Sequence, residues 1–125
     1  MGLDSFGKIR NPETGEVNEV AYWRKHNALH GWMEDRYRKQ NPNFTEDFNC
    51  VPFELSAQDL DDLEADMNGT GLPETMGFFF GGDSRFCPFQ KKETEKFIKL
   101  SRNALAEGMQ VAYDSWWWYV NDMLS

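Results

Sequence analysis

The residues best equipped for chemistry are in "AYWRKHNALHGW", residues 21–32, where His26 and His30 stand four apart beside Trp23, Arg24 and Asn27. On a helix that spacing brings both imidazoles to one side, and Glu34 extends the row by another turn. His-x3-His is a zinc-presenting spacing, but "HNALH" has no glutamate after its first histidine, so the metalloprotease motif is absent. A zinc site on His26, His30 and Glu34 would draw a further ligand from Cys50 or Cys87. Two histidines without a placed third ligand more often pack and hydrogen-bond, so the expectation is no metal and no cofactor.

Other motifs fall short. "EADMNGTGLPET", residues 64–75, has the acids, asparagine and glycine of a calcium loop, yet ends on Thr75 where a bidentate glutamate is needed. "GFFFGGDSR", residues 77–85, puts glycines after an apolar run, but neither phosphate-cradling glycine signature is present. Cys50 lacks a recognised nucleophile motif, and no Ser, His and Asp arrangement can be established. The residues therefore favour binding over catalysis. The candidate ligand-binding set is Arg24, Asn27, His30 and Cys50, joined by Phe80 and Gly81.

Charge is segregated along the chain. The net charge is -8, and between Gln40 and Ser84 there are acids from Glu46 to Asp83 with no Lys or Arg. Basic residues flank this block, from Arg24 to Lys39 and from Arg85 to Arg102. An acidic chain cannot displace counterions from phosphate over a broad surface, which argues against nonspecific nucleic-acid binding. A local basic patch could still hold a small anion. The acidic block reads as a solvated helix face, with imitation of nucleic acid as the alternative.

Positioning these residues requires a scaffold, and 125 residues suffice for one domain, residues 1–125. Alternation over residues 3–9 predicts a first strand, which "NPETGE" ends. Asn18 is expected to cap a helix over Glu19–Lys39, in which Trp23, His26, His30, Met33 and Tyr37 recur at three and four. A short strand at 50–55 follows, placed at an edge by Pro52. Ser56 and Asp59 predict a capping box that opens a second helix. Residues 78–80 read as a buried strand, and Lys91–Glu107 as a third helix stopped by Gly108. "QVAYDSWWWYV" predicts a last strand that closes the sheet. The expected architecture is α+β or α/β, with about three helices on a small four-stranded sheet.

Two cysteines suit free thiols in a reducing compartment. The N-terminus lacks the features of a secretory signal, and no apolar run reaches the roughly 18 residues of a membrane span. A cytoplasmic location without a membrane partner is expected.

"MGLD", "EVAYWRKHNALHGW", "FNC", "LPETMGFFFG" and "YDSWW" occur in that order along nearly the whole chain. Together they resemble an uncharacterised family of small phage and prophage proteins. The pattern falls on Trp23, Arg24, Lys25, Asn27, His30, Asn49, Cys50 and residues 77–81. His26 departs from it, since the family has a small residue there, so His26 is expected to be an added surface or packing histidine. The start also departs from the family's MGLDMY, and the longer insertions are missing. The resemblance implies a viral setting, in the cytoplasm of an infected host, and no established activity. It fits a noncatalytic protein that binds a host protein or sequesters a small anionic ligand, as a monomer or homo-oligomer. The alternatives are a small metal- or cysteine-dependent enzyme and a virion or assembly component.

Overall fold

The computed structural model describes residues 2–69, 71–72 and 87–118. They form a single small α+β domain with three helices and a four-stranded sheet. The chain runs β1 (Gly2–Arg10), β2 (Val17–Arg24), α1 (Asn27–Gln40), β3 (Phe53–Leu55), α2 (Ala57–Asn68), α3 (Pro88–Ala106) and β4 (Gln110–Trp118). The sheet order is β2-β1-β4-β3, and every pairing is antiparallel.

The segment from Glu19 is where expectation and structure part. Residues 17–24 are a strand, and the helix begins only at Asn27. The spacing of Trp23, His26 and His30 mimicked a helix, but Ala21 and Trp23 face inward while Tyr22 and Arg24 are exposed, the period of two that a strand requires. Asn18 therefore lies in β2 and caps no helix. Residues 11–16 instead close a hairpin, in which the Asn11 N–H donates to the Glu16 carbonyl at 2.8 Å and Gly15 takes φ +78°.

The other helix ends follow recognisable chemistry. Ser56 and Asp59 form the expected capping box, each side chain accepting from the other's backbone N–H at 3.1 and 2.9 Å. Pro88 starts α3 three residues earlier than expected, in the first turn, where a missing N–H costs least. At its other end, Gly108 takes φ +83° and donates to the Leu105 carbonyl, while Met109 donates to Ala104, a Schellman stop. The expected strand at 50–55 shortens to Phe53–Leu55 and lies at an edge. The last strand does not close the sheet: β4 is interior, between β1 and β3. The strand predicted at 78–80 lies outside the described residues.

The helices pack on one face of the sheet, against Leu3, Trp23, Val111 and Tyr113, all fully buried. Phe97 of α3 meets Trp23 edge-on, with ring centres 5.2 Å apart, and covers the backbone of Gly7. A Cβ at Gly7 would lie 2.4 Å from the Phe97 ring, which is itself 0% exposed. Glycine is thus required in this strand because a ring occupies the side-chain position. On the outer edge of β2, α3 also satisfies backbone groups: Glu93 accepts from the Tyr22 N–H at 2.9 Å and Gln90 donates to the Arg24 carbonyl at 2.7 Å.

Gly7→Ala is expected to lower stability by about 1–3 kcal/mol through overpacking, and Phe97→Leu in that background to restore part of it. Urea unfolding of the two single variants and the double variant measures both effects. Equal midpoints for wild type and Gly7→Ala would show that the ring has room to move.

Candidate functional site

One end of the inner sheet face is polar where a core is ordinarily apolar. Ser5 on β1, together with Tyr113 and Ser115 on β4, presents hydroxyls at positions at most 2% exposed. The start of α1 covers them with His26, Asn27 and His30, each at most 5% exposed. Nearby, Trp23 Nε1 donates to Thr94 Oγ1 at 3.0 Å, and that hydroxyl donates to the Gln90 carbonyl.

The hydrogen-bond directions around His30 can be worked out. Its Nδ1 is 2.8 Å from the Tyr113 hydroxyl, which is 2.9 Å from Ser5 Oγ. The Phe48 backbone also hydrogen-bonds the imidazole and favours its protonated form, as an accepting carbonyl does. The ring proton therefore points to Phe48, Nδ1 accepts from Tyr113, and the Ser5 hydroxyl donates to Tyr113. Burial moves both histidines down to about 4, so each is neutral at physiological pH, and it raises the Tyr113 phenol well above its usual value. His30 is thus a packed, hydrogen-bonded imidazole rather than a solvent-facing base.

The residues 48–50 dock on the flank of β4. The Asn49 side chain donates to the Trp117 carbonyl at 3.1 Å and accepts from its N–H at 3.0 Å, as a neighbouring strand would. Cys50, at φ +58°, donates its N–H to the Ser115 carbonyl at 2.8 Å. Its thiol is exposed and lies 3.6 Å from Asn49 Oδ1. Cys50 and Cys87 are both free thiols.

The sequence-derived set is therefore divided. Asn27 and His30 are buried, whereas Arg24 and Cys50 are exposed. None of the four lines the recesses of about 430, 490 and 480 Å3 that open among the described residues. His26 is a packing residue at the N-cap of α1, not a surface one. Glu34 is held by Arg38 at 2.7 Å. Among the described residues no group of three or more His, Cys, Asp or Glu side chains is placed to hold a metal ion. Phe80 and Gly81 lie outside the described residues.

Two arginines from outside the acidic block engage four of its acids. Arg36 pairs with Asp59 at 2.8 Å and with Asp62, and Arg102 pairs with Asp61 and Glu64 at 2.8 and 3.0 Å. Burial would raise the Asp59 carboxyl, but the Ser56 backbone N–H and Arg36 hold it below its ordinary value. The recess of about 430 Å3 is similarly engaged: Trp32 Nε1 donates to Asp66 at 2.8 Å, and Arg36 stacks 5.2 Å above the Trp32 ring.

The solvent-facing side of α3 has a different character. Lys92, Lys96 and Lys99 are exposed at i, i+4 and i+7, so they form one row, with the exposed Glu95 beside them. Phe89 lies at the head of that row and is 84% exposed, and Leu100 on the same side is 38% exposed. Sequence reasoning started this helix at Lys91 and so left Phe89 in a loop. Pro88 was the signal that would have included it.

The chain should lose stability as pH falls from about 6.5 to about 4. In that interval the unfolded imidazoles accept protons that the buried ones refuse, so stability is complete above the interval and declines through it. The expected loss is about 2 kcal/mol per histidine by about pH 5, above the range where most carboxylates titrate. Urea unfolding across that range measures it, and a flat profile would mean the rings are charged or solvated in the fold.

No protein-family model, no curated protein and no solved structure matches the chain, so the functional reading rests on the site's own geometry.

Proposed function

We propose that this chain is a noncatalytic binding protein that docks the outer face of α3 on an acidic surface of a host protein. The observation that carries this reading is Phe89, a large apolar side chain 84% exposed at the head of the Lys92, Lys96 and Lys99 row. An exposed aromatic anchor beside a cluster rich in lysine gives a small helical surface both affinity and orientation. Lys96 is tied to Glu93 at 3.0 Å, which fixes part of the row before any partner arrives.

A protein is favoured over a small anion because the row lies on a convex helix, and small ligands are held in concave sites. It is favoured over nucleic acid because the net charge of -8 opposes approach to a long polyanion. The resemblance to small phage proteins supports a setting in the cytoplasm of an infected cell. No helix among the described residues is long and apolar enough to cross a membrane.

Replacing Phe89 with a photoreactive phenylalanine analogue should yield one dominant cross-linked host protein in infected cells. Reversing charge at Lys92, Lys96 and Lys99 should reduce that adduct about tenfold or more, because steering and docking are lost together. A position-89 probe that captures nothing, or an adduct indifferent to the three lysines, would end this reading.

A further inference from the structure

With α1, α2 and α3 on one side, the opposite face of the sheet carries a pattern of its own. Its side chains come from alternate residues and form rows across the strands. The middle row is Tyr22, Phe6 and Asp114. The row on one side of it is Arg24, Asp4 and Trp116, and the row on the other side is Glu19, Lys8 and Ala112, which Glu54 of β3 extends. Strand by strand, the two outer rows are opposites: Arg24 against Glu19 on β2, Asp4 against Lys8 on β1, and Trp116 against Ala112 on β4.

We propose that this face binds a second copy of the same chain, across a two-fold axis that runs along the middle row. Such an axis turns one sheet over onto the other and exchanges the outer rows. Asp4 of each copy then faces Lys8 of its mate, and Arg24 faces Glu19. Trp116, 52% exposed, comes down over the small Ala112, the largest side chain of the rows against the smallest. Tyr22, 44% exposed, and Phe6 meet their own equivalents near the axis, where aromatic pairs are favourable. The arrangement is isologous, so each complementary contact is made twice.

Charge complementarity selects a second copy over an unrelated occupant. A generic apolar partner would leave Asp4, Lys8, Glu19 and Arg24 covered without cross-partner charges, whereas the chain itself supplies an opposite charge in register for each of these four. Two aligned sheets pack about 30° apart, which moves these rows by less than the spacing between them. Asp114 meets its own copy at the axis, an unfavourable contact that its ion pair with Lys8 at 3.2 Å reduces. The face covers roughly 500 Å2 in projection, the lower end for a specific interface, so the dimer is expected only at high protein concentration.

Sedimentation equilibrium of the full chain tests this with charge swaps. Wild type should be a dimer at high concentration, and Asp4→Lys alone or Lys8→Asp alone should weaken it about tenfold or more. An equimolar mixture of the two single variants should regain the dimer, because in the mixed pair Lys at 4 faces Asp at 8 and the native Asp4 faces the native Lys8. Circular dichroism establishes that each variant is folded; a misfolded single is replaced by Asp4→Asn or Lys8→Gln, read as a weakened dimer on its own, and the mixture is read only with the two folded charge swaps. A wild-type monomer at all concentrations, singles that still dimerise, or a mixture that stays monomeric each overturns the proposal. The swaps leave α3 untouched, so photocross-linking at position 89 reports separately on partner binding.

Discussion

Everything else in the structure depends on the pairing of β1 with β4. Nine residue pairs, from Gly2 with Trp118 to Arg10 with Gln110, join the first described strand to the last. All the helices belong to the loop that this pairing closes, so its entropy cost falls on a single long-range event. Once made, it sets Leu3, Ser5 and Gly7 beside Trp117, Ser115 and Tyr113 on the inner face. Gly7 then leaves the space that Phe97 fills, and α3 is fixed in position. On the other flank of β4, β3 pairs over only three residues, and Cys50 and the Asn49 side chain continue the hydrogen bonding beyond it.

That pairing also produces the polar end of the core. The Ser5 and Tyr113 hydroxyls are buried there with partners, in each other and in His30, which matters because an unpaired hydroxyl in a dry interior costs about 1–3 kcal/mol. His30 supplies the partner for Tyr113, and it can do so only while neutral, since a charged ring has no accepting nitrogen. Among the described residues, the two non-glycine residues with positive φ flank this region. Lys25, at +57°, donates its N–H to the Leu3 carbonyl, and Cys50, at +58°, to Ser115. Each left-handed residue costs about 1–2 kcal/mol, which the gained hydrogen bond offsets in part. The chain accepts that strain where it must bring the start of α1 and the residues 48–50 over buried hydroxyls.

Legibility in the sequence followed how local each determinant is. The capping box at Ser56 and the glycine stop at Gly108 were readable because each uses residues within one or two turns. The architecture was also readable, as α+β with three helices and four strands. The strand count stood, yet β2 was not among the strands expected. Residues 17–24 were misread because Trp23 satisfies two periods at once: it is an inward strand residue and also three before His26. The hairpin turn at 11–16 and the "AYWR" alternation favoured a strand, but the histidine pair drew the helix backward by eight residues. The candidate cluster then came apart for the same reason. On a helix Arg24 would share a side with Asn27, whereas on β2 it points to the outer face. The role of Asn49 could not be read at all, because a side chain that imitates a strand depends on a contact 68 residues away.

Charge along the chain misrepresents charge on the surface. The acidic block looks like the dominant field in the sequence, but Arg36 and Arg102, from either side of it, each pair with two acids of α2 and offset part of its charge. Arg102 leaves α3's outward row to the lysines and spends its own charge against α2. On α3 a lysine row with an aromatic head faces outward, on a chain whose total charge is negative. The layers then order the two unpaired surfaces. Because α3 packs on the inner sheet face, its lysine row and the outer sheet face point in opposite directions. Association through the sheet would therefore leave both α3 faces open, one on each side, and two linked faces hold a multivalent partner more tightly than either alone.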